Sequence, residues 1–130
     1  CDAETAVAEG VTSVFFPHGI GHLLGLQVHD VAGLVASAVG GEIPRPPGHP
    51  FLRLTRVLEP GFVVTVEPGL YFIEALIRDP EVRRKHRGLV DFKRAESYLD
   101  FGGVRIEDMV EVTADGCRVL GAASRELIEL

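Results

Sequence analysis

The sequence predicts an α+β fold, mostly antiparallel strands with flanking helices, and three observations lead there. Residues 62–66 and 104–113 are rich in apolar and β-branched side chains and read as strands. Ala114-Asp115-Gly116 is a hairpin turn signal, so residues 117–120 should return beside the second strand. Helical patterning is confined to short stretches, residues 2–9 and 94–99.

Taken in order, residues 2–9 form a helix closed by Gly10. Cys1 in place of a methionine, and a helix already under way, suggest a piece of a longer chain. Residues 11–16 are apolar and β-rich, a strand or strand approach. Gly19, Gly21 and Gly25 follow, where the backbone can pass close to a ligand or another strand. Residues 31–39 form a loop or short helix. Pro44, Pro46, Pro47 and Pro50, with Gly40, Gly41 and Gly48, make residues 40–50 a long surface loop. Residues 52–58 carry Arg53 and Arg56, and a turn at 59–61 precedes the strand 62–66. That strand's unbroken apolar character predicts burial on both faces. Pro68-Gly69 ends it, and residues 79–100 are charged and irregular apart from the helix at 94–99.

At 130 residues, with 46 % hydrophobic and 25 % charged residues, the chain has the make-up of one ordinary globular domain. A net charge of −6 and a pI near 5.3 exclude a basic nucleic-acid surface. The run Arg83-Arg84-Lys85-His86-Arg87 reads as a solvated face. No apolar run approaches the ~20 residues of a membrane span, and no signal peptide is visible. Cys1 and Cys117 have no metal or redox spacing, so a reducing, cytoplasmic setting is the default.

Chemistry concentrates in three places. His18, His22 and His29 fall within twelve residues. Glu67 and Glu107 each end an apolar segment, where a carboxylate is costly unless it meets a cation. Imidazole with carboxylates is a first-row metal ligand set. Strand parity puts Glu67 on one face with Thr65, and Arg105 with Glu107. Adjacent antiparallel strands would then aim both glutamates at one point, with Arg105 beside them. The odd seven-residue step between His22 and His29 cannot be one face of a strand; a strand–turn arrangement would set one on a metal and the other beyond it. Arg53 and Arg56 could bind an anion. His49 and His86 read as structural, Asp30 as a turn or cap residue, and Asp108 as structural.

These residues resemble three ordered motifs of the Xaa-Pro dipeptidase (prolidase) branch of the pita-bread metallopeptidases, a family that also holds aminopeptidase P and methionine aminopeptidase. The motifs are Pro17-His18-Gly19-Ile20-Gly21-His22 with Gly25-Leu26-Gln27-Val28-His29-Asp30, then Thr65-Val66-Glu67-Pro68-Gly69-Leu70-Tyr71-Phe72-Ile73, then Phe101-Gly102-Gly103-Val104-Arg105-Ile106-Glu107-Asp108. The resemblance implies that residues 1–130 are the C-terminal half of a pita-bread catalytic domain, with a mostly antiparallel curved sheet. It implies His22, Glu67 and Glu107 as metal ligands, Glu107 bridging two ions. It implies His18 and His29 at the substrate, His29 stabilising the oxyanion, Arg53 on the carboxylate of a C-terminal proline, and Arg105 bracing the carboxylates. It implies two divalent ions, manganese with cobalt or zinc as alternatives, a bridging hydroxide as nucleophile, and Glu67 as proton shuttle. The substrate would be an Xaa-Pro dipeptide, and the full-length enzyme a homodimer acting on neither nucleic acid nor membrane.

The family also uses two aspartates ahead of the histidine motif. Asp2, Asp30, Asp79, Asp91, Asp100, Asp108 and Asp115 do not stand in that context. These residues alone should therefore be inactive, with uncovered apolar surface and a tendency to aggregate or pair. The rival readings are an aminopeptidase P-like peptidase, a non-catalytic remnant or interaction module, and a half-enzyme completed by a separate chain.

Overall fold

The computed structural model describes residues 1–121, so the rest of the 1–130 domain lies outside the described residues. In chain order the elements are α1 (Ala3–Ala8), α2 (Thr12–Phe15), a 3-10 turn (Val31–Leu34), β1 (Val35–Ser37), β2 (Gly40–Glu42), β3 (Val63–Val66), β4 (Gly69–Tyr71), α3 (Glu74–Ile77), α4 (Pro80–Lys85), α5 (Phe92–Glu96), a second 3-10 turn (Leu99–Phe101), β5 (Gly103–Arg105), β6 (Asp108–Val112) and β7 (Cys117–Val119). The pairings of these strands are antiparallel, which gives the α+β class read from the sequence. Among the described residues they form three ladders, β1-β2, β3-β6-β7 and β4-β5. The chain divides into two compact units. Among the described residues one holds Cys1–His18 with Pro68–Ile106, and the other holds Gly19–Glu67 with residues 107–121.

The first unit is mainly helical. Asp2 caps α1 by accepting the Thr5 N–H at 2.7 Å, and Gly10 ends it at φ +68°, a conformation glycine adopts without strain. Residues 11–16 hold the helical turn α2, contrary to the strand reading. Phe16 N–H reaches Thr12 O at 2.7 Å, and Val11 and Val14 are both buried. Their spacing of three matches a helix face, which the short apolar run concealed. Asp79 caps α4 through the Glu81 and Val82 N–H groups, with Pro80 in the first turn and basic residues in the last. In the basic run Arg83 pairs with Glu96 and Arg84 with Glu81; Arg84, Lys85 and Arg87 are exposed as on a solvated face, but His86 turns inward and is buried, contrary to that reading. The helix expected at 94–99 begins earlier, at Phe92. Asp91 caps it there, and Phe92 and Ala95 face inward. Val14, Ile77, Phe92 and Ala95 form the core, with Phe15, Phe72, Val82, Val90 and Leu99 against it. Beside it runs an apolar groove of about 610 Å³, edged by the exposed Leu70, Phe101 and Val104.

The expected strand 104–113 is broken at Ile106-Glu107 into β5 and β6. In the first unit β5 pairs with β4, and Ile106 N–H bonds the Pro68 carbonyl at 3.1 Å. Proline has no N–H to return, so the ladder stops there. The parity link between Arg105 and Glu107 assumed an unbroken strand and lapses with it.

The second unit is β-rich. In β3, Val64 and Thr65 point to opposite faces and are both buried, while Val66 is 38 % exposed, so two-sided burial holds only at the strand's middle. β6 pairs with β3 from Val63↔Glu111 to Val66↔Asp108, and β7 pairs with β6 across the hairpin read from residues 114–116. On the other edge of β3 the histidine segment runs antiparallel. Leu24 N–H bonds Val63 O, Thr65 N–H bonds His22 O, and Glu67 N–H bonds Ile20 O, at 2.9, 2.9 and 2.7 Å. That approach requires glycine at position 21, where a Cβ would overlap the Thr65 carbonyl. Leu23, Val64 and Val110 form the core. Residues 40–50 are less irregular than the prolines suggest, because Gly40 and Gly41, at φ +110° and +89°, let β2 fold back on β1. Leu26, Val39 and Val57 stand fully or largely open to solvent. Among the described residues no helix is long and apolar enough to cross a membrane.

Candidate functional site

The second unit holds five of the residues singled out in the sequence, His22, His29, Arg53, Glu67 and Glu107. His22 and Glu67 are the closest pair, with Nε2 3.3 Å from Oε1, and both are buried, at 3 % and 8 % exposure. The pairing follows from local structure. The 20–24 segment and β3 lie side by side, so a residue at the centre of one and a residue past the end of the other meet on one face. His22 Nδ1 donates to the Leu23 carbonyl at 3.0 Å. A carbonyl only accepts, so Nδ1 carries the proton, and in the neutral ring Nε2 turns a lone pair toward Glu67. Two acceptors facing each other in a buried space need a positive charge, either a proton on Nε2 or a metal ion. This donor set, an imidazole nitrogen fixed in its tautomer and a carboxylate oxygen, suits a first-row divalent ion.

His29 comes back to this pair through a loop that Asp30 closes. Asp30 N–H bonds Leu23 O at 3.1 Å, and its carboxylate caps the following 3-10 turn through Ala32 N–H at 2.9 Å. The His29 ring meets the His22 ring edge-on, centroids 4.4 Å apart at 72°. That is the strand–turn arrangement the odd spacing called for. Although exposed, the His29 imidazole is held below the ordinary histidine value. Desolvation is the largest cause, then the Arg53 guanidinium and His22, while Glu67 and Glu107 pull the other way. Arg53, Glu67 and Glu107 are thus within electrostatic reach of His29. Glu67 and Glu107 each stand one residue past the last pair of the β3–β6 ladder, Val66↔Asp108. Arg56 is engaged elsewhere, with Nη2 3.2 Å from Glu59 and the guanidinium over the Phe62 ring. Among the described residues no three His, Cys, Asp or Glu side chains gather to hold a metal ion, so this unit supplies a buried donor pair.

His18 and Arg105 belong to the first unit. His18 Nε2 lies 2.9 Å from the Tyr71 hydroxyl, and its ring packs on Phe16 at 4.4 Å. Arg105 lies on β5 opposite Gly69. Sequence reasoning gave no part to Tyr71, which only the fold sets against His18. It also passed over Thr65, whose hydroxyl touches both His22 and Glu67. The shared strand face of Thr65 and Glu67 was the available signal for it.

Comparison with known proteins gives three results. Residues 2–114 match the model of metallopeptidase family M24. The chain is 61 % identical over 113 residues to an Xaa-Pro dipeptidase of Xanthomonas axonopodis pv. citri, covering 87 % of this chain and 25 % of that protein. Among solved structures it is similar to a proline aminopeptidase P II from Yersinia pestis, with TM-score 0.52 and 35 % identity over 94 % of this chain and 21 % of that one. It is similar also to a zinc-substituted Escherichia coli aminopeptidase P in complex with product, with TM-score 0.51 and 35 % identity over 94 % of this chain and 20 % of that one. The chain thus spans about a quarter of the length of the curated relatives it matches.

Proposed function

Since the chain belongs to metallopeptidase family M24, we propose that it is the C-terminal part of the catalytic domain of a metal-dependent enzyme that hydrolyses Xaa-Pro dipeptides. The observation that carries this reading is the buried His22–Glu67 pair, two donors facing each other with His22 locked in the ligating tautomer. In this reading His22, Glu67 and Glu107 would hold the divalent ions. Manganese is the first choice, with cobalt or zinc as alternatives. When bound, the ions supply Lewis-acid activation of water and of the scissile carbonyl.

The chain's own residues do the rest. Glu67 takes and returns the proton of the attacking water. His29, kept below the ordinary histidine value beside Arg53, contacts the substrate carbonyl. Arg53 receives the free carboxylate of the C-terminal proline. His18 contacts substrate, and Arg105 braces the carboxylates. The remaining donors, two aspartates, come from a preceding segment; the quarter-length coverage of the relatives supports this. The 130 residues alone are then inactive, and the whole enzyme is a cytoplasmic homodimer.

Similarity to aminopeptidase P structures favours a second reading, a peptidase that removes a residue ahead of proline in longer peptides. Hydrolysis of Ala-Pro and Ala-Pro-Ala by the full-length chain with Mn²⁺ separates the two. Cleavage of Ala-Pro alone supports the dipeptidase. Preference for Ala-Pro-Ala transfers the assignment to aminopeptidase P. Loss of neither activity in His22→Ala would sink the metal-centre reading.

A further inference from the structure

Thr65 is the most deeply buried polar side chain near the donor pair, at 2 % exposure, and its hydroxyl makes two bonds that run in one direction. Its oxygen accepts the His22 main-chain N–H at 3.0 Å, and its proton goes to Glu67 Oε1 at 3.1 Å. The direction is forced. An amide N–H can only donate, so it takes a lone pair of the hydroxyl. The single hydroxyl proton is then left for the carboxylate oxygen, the same one that faces His22 Nε2. The His22 N–H thus bonds a side-chain oxygen of β3, while the return bond, Thr65 N–H to His22 O at 2.9 Å, is an ordinary ladder bond.

We propose that Thr65 is a positioning residue that ties His22 to Glu67 and orients the Glu67 carboxylate for cation binding. The proposal rests on the reading of His22 and Glu67 as metal donors. A hydrogen bond to a ligating carboxylate narrows its rotamers, and outer partners of this kind typically change metal affinity about 10–100-fold when removed. Valine has nearly threonine's shape, so Thr65→Val removes the hydroxyl with little change of volume, and it strands the buried His22 N–H. Thr65→Ser keeps the hydroxyl and gives up only a methyl group.

The test is Co²⁺ binding by the full-length chain, followed by titration calorimetry and by the visible cobalt spectrum. Thr65→Val should weaken binding by about 10–100-fold and alter the spectrum, while Thr65→Ser stays within about threefold of the parent. Equal binding by parent and valine variant overturns the proposal, and so does an equal loss in both variants, since methyl packing would then be the cause. A second reading needs neither metal nor a folded variant. In NMR of the unsubstituted, metal-free chain, the Thr65 hydroxyl proton should exchange slowly enough to be seen, with a cross-peak to the His22 amide. Its absence overturns the proposal. Its presence in a chain that does not bind Co²⁺ keeps the Thr65 bridge and discards the metal reading.

Discussion

In the first unit the buried side chains are Val14, Ile77, Phe92 and Ala95, joined by Val11 and by one histidine, His86. In the second they are Leu23, Val64 and Val110 together with His22, Thr65 and Glu67. Both units bury a small apolar cluster, but only the second buries a connected polar group. Burying a polar side chain costs free energy unless its bonds are met. In the second unit most are met: His22 Nδ1 by Leu23 O, and the Thr65 hydroxyl by the His22 N–H and Glu67, while His22 Nε2 faces Glu67 Oε1 at 3.3 Å and calls for a positive charge between them. The difference teaches that the first unit follows the ordinary logic of a scaffold, whereas the second keeps two acceptors facing each other in its interior, an arrangement that is costly without a cation.

Two substitutions break the units separately. The largest effect is expected from Ile77→Ala. Ile77 is fully buried, and deleting most of its side chain leaves a cavity against Phe92 and Ala95, costing about 4 kcal/mol. Amide hydrogen exchange should lose protection first in α3 and α5. The second is Gly21→Ala, whose new methyl would overlap the Thr65 carbonyl, a main-chain atom that yields only if β3 moves; the cost is about 3 kcal/mol. Here protection should fall in β3 and β6, and the Thr65 bonds to His22 and Glu67 should open with it. Equal loss of protection throughout the chain in both variants would abolish the distinction between the units.

The comparison also explains what the sequence could disclose. Glu67 stood out because it ends an apolar run, where a carboxylate is costly without a cation, and parity puts Thr65 on its face; His22 stood out only through its clustering with His18 and His29. The odd spacing of His29 from His22 excluded a shared strand face and left its place to the fold, which sets the two rings edge-on. What escaped was decided by pairing across the chain. The strand 104–113 breaks because its partner offers Pro68, and Tyr71 meets His18 fifty-three residues away. Residues 11–16 escaped for a different reason: six apolar and small residues fit a strand as well as a helical turn, and burial of Val11 and Val14 on one face decides for the turn.

His86 sharpens the comparison, being a buried polar side chain of the first unit that has no such network. It ends α4 at 4 % exposure, and among the described residues its Nδ1 has no hydrogen-bond partner. A charged imidazolium carries two N–H donors, and one would be stranded in the interior. Burial accordingly pushes the His86 value below its ordinary 6.5, with Lys85 adding to the effect and Glu9 opposing it. Above pH 6.5 both folded and unfolded chains are neutral at this site, and stability is complete. As pH falls below 6.5 the unfolded chain takes up the proton first, so stability declines until the depressed folded value is passed. His86→Leu removes that titration. The gap in melting temperature between parent and variant should therefore change in the variant's favour as pH drops from 8 to 5, by a smaller amount than either core substitution. A gap constant across that range would mean that His86 is satisfied when charged, and the first unit would then resemble the second in supporting its buried polar group.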